Sequence, residues 1–391
     1  MTRYRHRAGE LLVHADDCAA IHAGLAGFGY HPAGAAGALR RFTGTRPVPE
    51  VLAALGSHGA SPNHLFGLDR IIWGDLRPKP TFQTLDPVPF AGDPVTVGVI
   101  DTGVVLHQGL PHPYLADRLL FEPADTVRVA HSEDGNPIGT AAHGTFVAGV
   151  LLKQLQTPNA VRIRMKGVID KESGEAEDVA VAAAIDELRD EGITLINLSF
   201  SGATWEDEPP KAIEAALRRL PHETVVVAAA GNRATRRRVY PAAIKFEATK
   251  PGDVDPNHAW VIAVGAADAT QDTNTPLVAD FSNYGPWVPA YSDGVDVLGP
   301  YLWPGYPFQP PGEQPYNGFA VWSGTSFSAA IVTGLIAAEM ATGTDVLSAA
   351  DFVLNRRLDP LAQQRLFVRV HDVNGEADVP YLRGLFEQGV G

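Results

Sequence analysis

Short apolar runs alternate with amphipathic stretches after about residue 95, and this alternation restricts the folds open to the chain. The apolar runs are nearly uninterrupted, which is typical of strands buried on both faces of a parallel sheet. They cover residues 95–100, 194–200, 224–230 and 259–267. Between them, residues 176–192 and 210–221 have the periodicity of helices. We therefore predict an α/β domain over residues 95–345, with a doubly wound, mostly parallel central sheet.

The segments on either side of this domain have a different character. Residues 1–80 are predicted to form a small α+β unit with a short strand and two helices, the second over residues 47–59. Residues 81–94 belong to a Pro-rich stretch, which favours an extended linker. Residues 346–391 are predicted to be a C-terminal extension, in which Asn374-Gly375 between two alternating runs indicates a hairpin.

Charge and cysteine content exclude several classes of partner and cofactor. The 31 Lys and Arg against 45 Asp and Glu give a net charge of −14, and nucleic acid is not an expected partner because phosphate binding requires a basic face. The single cysteine, Cys18, excludes an intramolecular disulfide and a metal site built from cysteines.

Neither membrane insertion nor a signal peptide is expected from the sequence. No stretch is apolar over the roughly 18 residues that a membrane helix requires. The apolar run near the N-terminus, residues 11–13, is far shorter than that of a signal peptide. We expect a cytoplasmic protein, and secretion by another route is left open.

Three polar residues lie at positions that such a sheet brings together, near the carboxyl ends of its strands. Asp101 directly follows the run of residues 95–100, His143 begins an amphipathic helix, and Ser326 lies in the first turn of another helix. Each of them alone has an ordinary explanation as a cap or turn residue. Together they are the carboxylate, the base and the nucleophilic hydroxyl that acyl transfer requires. Asn232, just after a buried strand, adds an amide that can stabilise an oxyanion.

Six short motifs occur in a fixed order within about residues 95–345. They are VIDTGV, HGTFVAGV, INLSFSG, AAAGN, FSNYGP and SGTSFSAA. In composition and order they resemble the block motifs of the subtilisin-like serine proteases. The resemblance implies that Ser326 is the nucleophile, His143 the general base and then acid, and Asp101 the carboxylate that orients His143. It also implies an oxyanion hole formed by Asn232 and the backbone N–H of Ser326.

The same resemblance implies how a peptide substrate binds. One strand pairs with the extended peptide, and a neighbouring segment lines the pocket for the residue before the cleaved bond. The strand consists of Ser199, Phe200, Ser201 and Gly202, and the pocket segment of Ala229, Ala230 and Gly231. This mode of binding agrees with a general principle. A peptide that adds a strand to a sheet is held mainly through its backbone groups.

We therefore expect a serine endopeptidase that forms an acyl-enzyme and requires no cofactor for the chemistry. The alternative is a catalytically silent member of the family that binds peptides. Residues 1–80 are implied to be an intramolecular pro-region, with a recognition domain as the alternative. No metal ligand is predicted: residues 150–168 look shorter than the loop that binds a stabilising calcium in secreted relatives, so a structural calcium is left undecided.

Overall fold

The N-terminal unit is a small antiparallel sheet with two helices. In the computed structural model, the described residues are 4–56, 59–68, 77–87, 89–115, 117–129, 142–155, 159–170, 173–246, 257–270, 276–306, 315–357, 366–372 and 375–384. The elements of the unit are β1 (His6–His14), α1 (Cys18–Gly27), β2 (His31–Ala36), β3 (Leu39–Thr43), α2 (Val48–Leu55) and β4 (Ala60–Gly67). The strands lie in the order β4-β1-β3-β2.

Two local features of this unit matter below. Helix α2 is shorter than the predicted helix over residues 47–59, because Gly56 adopts a left-handed conformation (φ 72°) that ends it. Cys18, at the start of α1, is a free, partly buried thiol that packs against the apolar core of the unit.

The remaining elements alternate strands and helices. They are β5 (Lys79–Pro80), β6 (Phe90–Asp101), β7 (Val104–Val105), β8 (Leu119–Leu120), β9 (Thr126–Val127), α3 (His143–Lys153), β10 (Asn159–Gly167), β11 (Glu175–Glu177), α4 (Asp178–Asp190), β12 (Leu195–Leu198), α5 (Lys211–Arg218), β13 (Val225–Ala229), β14 (Trp260–Asp268), β15 (Leu277–Val278), β16 (Ala290–Asp293), β17 (Val297–Pro304), β18 (Asn317–Trp322), α6 (Thr325–Met340), α7 (Val346–Asp351), β19 (Leu366–Asp372) and β20 (Gly375–Leu382).

The central sheet confirms the predicted α/β architecture. Its order is β19-β20-β16-β14-β13-β12-β6-β10-β8, with β15 paired to β14 at the side. All neighbours from β20 to β8 are parallel, whereas β15 and β19 are antiparallel to their partners. All four apolar runs predicted to be buried strands contribute to β6, β12, β13 and β14.

Helices cover both faces of this sheet, as the doubly wound prediction requires. Consecutive residues of β12 show this directly. Leu195 belongs to the buried cluster that also contains residues of α3 and α6, whereas Ile196 belongs to the cluster that contains residues of α4 and α5. None of the helices within the described ranges is both long and apolar enough to cross a membrane.

Two segments differ from the sequence-based division of the chain. Strand β6 begins at Phe90, inside the predicted linker of residues 81–94, and its pairing with β10 shifts register before Val95. Pro94 fits there because a proline is tolerated at such an irregularity. The C-terminal hairpin forms from β19 and β20, and β20 lies beside β16 in the central sheet. Asn374 of the predicted hairpin turn lies outside the described residues.

Candidate active site

The carboxylate and the imidazole predicted from the sequence are in direct contact. Asp101 is the last residue of β6 and His143 the first residue of α3, and both are buried. Nδ1 of His143 lies 2.8 Å from Oδ1 and 2.9 Å from Oδ2 of Asp101. Because an ionised carboxylate only accepts hydrogen bonds, this contact places a proton on Nδ1 and leaves Nε2 of the neutral ring as an acceptor.

The close approach of α3 to the end of β6 depends on Gly144 and Thr102. The Gly144 N–H donates to Oγ1 of Thr102 at 2.9 Å, and the Thr102 N–H donates to Oδ1 of Asp101 at 2.7 Å. A Cβ on Gly144 would lie only 2.6 Å from the carbonyl oxygen of Gly103. A larger residue after His143 would therefore push the imidazole away from its carboxylate.

The hydroxyl of Ser326 lies at the same edge of the sheet. Ser326 is the second residue of α6, where backbone N–H groups have no acceptor within the helix. Its Oγ donates to the Ser199 carbonyl oxygen at 2.8 Å. The ring of the next residue, Phe327, is centred 5.6 Å from that of His143. No hydrogen bond joins Ser326 to His143 in the described part of the chain, and such bonds are often long before substrate binds.

Ser199 also supports the helix that carries Ser326. Its Oγ lies 2.9 Å from the Ser326 carbonyl oxygen and 2.7 Å from Oδ1 of Asn197. Nδ2 of Asn197 donates to Oγ1 of Thr333, on the same helix, at 2.9 Å. The end of β12 therefore holds α6 through side chains as well as through packing.

Asn232 is oriented by the residue before the candidate nucleophile. Its Oδ1 accepts from both the N–H and the Oγ1 of Thr325, each at 2.9 Å. Because the N–H of Thr325 can only donate, these contacts assign the oxygen of the amide, and Nδ2 lies on its other side. Nδ2 is 3.6 Å from the position that a Cβ on Gly324 would occupy. The amide N–H groups thus lie beside the first turn of α6.

The predicted pocket segment follows β13. Ala229 ends that strand, and Ala230 and Gly231 continue from it. Sequence reasoning gave no role to Asn283, which organises this loop: its Nδ2 donates to the Ala230 carbonyl oxygen at 2.7 Å, and its N–H donates to that of Gly231 at 2.9 Å. The motif FSNYGP contains this residue and was the available signal.

The segment predicted to pair with substrate is already paired with the chain's own N-terminal unit. The N–H of Gly67 donates to the Ser201 carbonyl oxygen at 3.2 Å, and the Ser201 N–H donates to that of Gly67 at 3.1 Å. Phe66 is fully buried, with its ring centred 6.5 Å from that of Phe200. Gly202 forms a reciprocal pair of 2.9 Å hydrogen bonds with Tyr240 instead.

A metal centre built from side chains is not evident in the part of the chain that the structure describes. There, no group of three or more His, Cys, Asp or Glu residues is arranged to hold an ion.

The α/β fold and the polar groups at this edge of its sheet are those expected of a subtilisin-like serine protease. Residues 92–353 match the subtilase family. The chain belongs to that family. It is 30% identical over 249 residues to a thermophilic serine proteinase from Bacillus sp. (strain AK1), an alignment covering 62% of this chain and 51% of that protein. The chain thus spans about half the length of this curated relative.

Among solved structures, the chain is similar to fervidolysin from Fervidobacterium pennivorans, a keratinolytic enzyme related to subtilisin. The TM-score is 0.60 at 18% identity, covering 92% of this chain and 59% of fervidolysin. At this identity the likeness concerns the fold alone. Because 92% of the chain is more than the part that follows residue 91, the alignment must include part of the N-terminal unit.

Proposed function

We propose that the chain is a serine endopeptidase in which Asp101, His143 and Ser326 form the catalytic triad. The observation that carries the proposal is the buried contact of Asp101 with Nδ1 of His143, at the same edge of the sheet as a serine in the first turn of α6. This contact leaves Nε2 free of the carboxylate and able to accept the proton of a nucleophile.

In the proposed reaction, the Ser326 hydroxyl first leaves the Ser199 carbonyl and turns towards Nε2 of His143. His143 takes the hydroxyl proton while Oγ attacks the peptide carbonyl carbon. The resulting tetrahedral intermediate expels the amine, which receives that proton from His143, and an ester on Ser326 remains. Water then attacks the ester, with His143 again acting as base, and the acid product leaves. Asp101 stabilises the imidazolium in both halves.

Asn232 is the proposed oxyanion donor. Its Oδ1 is held by Thr325, so its amide group cannot rotate freely while charge develops on the substrate oxygen. A donor fixed in advance in this way needs no reorganisation during the reaction.

A chemical probe and a peptide library test the triad. Protein that has removed its own N-terminal unit should be labelled by a fluorophosphonate and should cleave a peptide library followed by mass spectrometry. Ser326→Ala should abolish both, whereas Ser328→Ala, a buried hydroxyl two residues further along α6, should keep labelling. Asn232→Ala should lower kcat by about 10²–10³ with little change in KM, a magnitude taken from subtilisin rather than derived from this geometry. Folded, processed protein without labelling would favour the catalytically silent alternative.

We further propose that the N-terminal unit is an intramolecular pro-region. It blocks the substrate cleft, the groove beside the segment of residues 199–202. The supporting observation is the pairing of Gly67 with Ser201, since a peptide substrate would bind by the same backbone groups.

Refolding experiments separate a pro-region from a recognition domain. A chain starting near residue 85 should regain activity only slowly, and residues 1–80 added in trans should speed its folding and inhibit the product. Full activity without a lag, unaffected by residues 1–80, would make the unit a recognition domain.

A further inference from the structure

The cleft has an acidic edge, formed by Glu175 and Glu177 of β11. Strand β11 pairs with β4 on the side away from Ser201, with Glu175 opposite Gly67 and Glu177 opposite Leu65. The occupied cleft is therefore a three-stranded arrangement, with β4 between β11 and the segment of Ser201. Alternation along β11 puts the two glutamates on one face, while Ala176 between them is buried in the core.

Two arginines of the N-terminal unit neutralise the acidic edge. Arg5 forms an ion pair with Glu175, and Nε of Arg7 donates to Oε1 of Glu177 at 2.7 Å. The side chains of the two glutamates are only 12% and 25% exposed. In the described part of the chain, the ion pairs of the acidic edge are all made with this unit. Its departure leaves both carboxylates without a basic partner.

The register of the paired strands relates the acidic edge to the cleaved bond. Gly67 lies opposite Ser201, so an antiparallel peptide in the same register places the residue two positions further along opposite Ser199. The Ser199 carbonyl accepts the hydroxyl of Ser326, so Ser199 lies beside the candidate nucleophile. The peptide residue opposite Ser199 is therefore the one whose carbonyl is attacked. The position held by Gly67 is then the third residue before the cleaved bond, and that of Leu65 is the fifth.

A side chain at the third position would point at Glu175. A Cβ built on Gly67 lies 3.9 Å from Cγ of Glu175, and its nearest neighbour is the Gly174 carbonyl oxygen at 3.0 Å. Gly67 itself offers no side chain, and the guanidinium on Glu175 comes from Arg5 on the adjacent chain segment. A substrate would have to supply the positive charge from its own strand.

We propose that Glu175 selects substrates with lysine or arginine at the third residue before the cleaved bond, and that Glu177 does the same at the fifth. This inference rests on the proposed peptidase function. Departure of the N-terminal unit also uncovers both carboxylates, so the pairing with a substrate side chain is comparable with a surface ion pair and is partly screened. We expect a preference of about two- to fivefold in kcat/KM over glutamine at each position, decreasing at high salt.

Matched peptides measure this preference in the processed protein. They differ only by Lys or Gln at the third or the fifth position. Glu175→Gln should abolish the preference at the third position and keep that at the fifth, and Glu177→Gln should do the reverse, so each variant is the control for the other. Efficient cleavage with equal kcat/KM for Lys and Gln peptides would overturn the inference while leaving the proposed function intact.

A second test does not depend on catalysis. In full-length Ser326→Ala protein, Arg5→Ala should weaken docking of the N-terminal unit, measured as faster hydrogen exchange of the β4 amides. Adding Gly67→Lys should restore slow exchange, because the lysine reaches Glu175 from the position of a substrate residue, whereas Gly67→Gln should not. Equal exchange in the Lys and Gln variants would overturn the inference even if no peptide were ever cleaved.

Discussion

The N-terminal unit and the C-terminal hairpin flank the same catalytic sheet but are built into it differently. The unit has a core of its own, which includes Phe42, and it also contributes Leu12 and Phe66 to the buried cluster of the central sheet. The hairpin has none in the described ranges: Val368 and Tyr381 belong to the buried cluster of the central sheet itself. A segment with a core of its own can leave as a folded body at the cost of exposing its shared contacts, whereas a segment without a core of its own cannot.

The N-terminal unit and the hairpin also contact the candidate active site differently. The unit contacts the cleft through strand pairing, partly exposed ion pairs and the buried ring of Phe66. The hairpin instead holds Asp293, whose carboxylate accepts from the Tyr381 hydroxyl and from the Gly384 N–H. The next residue, Gly294, accepts the Gly324 N–H at 2.8 Å, two residues before Ser326. The hairpin is thus linked to the candidate nucleophile through buried hydrogen bonds.

Removal of the hairpin is the most severe test of this difference. A chain ending at residue 365 loses several buried apolar side chains, each contributing roughly 1.5–3 kcal/mol, and the sum is comparable with the whole stability of a domain. We expect no cooperative unfolding transition by calorimetry. A chain ending at Gly384 is the control and should unfold normally. A cooperative, labelled protein lacking residues 366–391 would show that the hairpin is dispensable.

Phe66→Ala should detach the N-terminal unit without harming the catalytic domain. Phe66 is fully buried, and truncating a buried phenylalanine costs about 3–5 kcal/mol. We expect the docked unit to exchange amide hydrogens faster, while the catalytic domain keeps a cooperative unfolding transition of its own. Phe82→Ala, at a residue that is 84% exposed, is the control. A matching fall in the stability of both parts would mean that the unit and the domain form one cooperative body.

Tyr381→Phe should weaken the catalytic domain by less. Burial raises the pKa of Asp293 to about 6, and the Tyr381 hydroxyl opposes this rise by stabilising the ionised form. The variant should lose about 1–3 kcal/mol at pH 8, where the carboxylate is charged. The loss should shrink below pH 6, where Asp293 is protonated in the fold. Chemical denaturation at both pH values measures this, with Tyr284→Phe as control; an equal loss at both would contradict it.

Sequence reasoning located the candidate triad and Asn232 because each is encoded by a local pattern, a strand followed by a polar residue or a helix start. It did not place β4 in the cleft. Gly67 and Ser201 pair through backbone groups, which carry no side-chain signature, and the register is set by contacts between distant segments. The hairpin was predicted from its turn, but its position beside β16 depends on the same kind of long-range pairing.

His64 should make docking of the N-terminal unit sensitive to acid. Its Nε2 accepts the backbone N–H of Trp205 at 3.0 Å. Burial lowers the pKa of His64 to about 3, and nearby His6 adds to the shift. An undocked, solvated histidine has a pKa of about 6.5, so the released unit binds the proton more tightly. Docking should therefore weaken as pH falls below 6.5, by up to about 1.4 kcal/mol per unit.

Amide exchange of β4 between pH 7 and pH 5, corrected for intrinsic rates, measures this loss. His64→Gln, which cannot gain a proton, should flatten the profile. An unchanged profile in that variant would contradict the role of His64.

The position of Cys18 provides a direct reporter of these events. It is the only cysteine of the chain, and it lies in α1 of the N-terminal unit. A fluorophore attached to this thiol would travel with the unit and leave the catalytic domain unmarked. Emission anisotropy would then fall when the labelled body, much smaller than the whole chain, tumbles on its own. Release of the unit could be followed in real time without introducing a new labelling site.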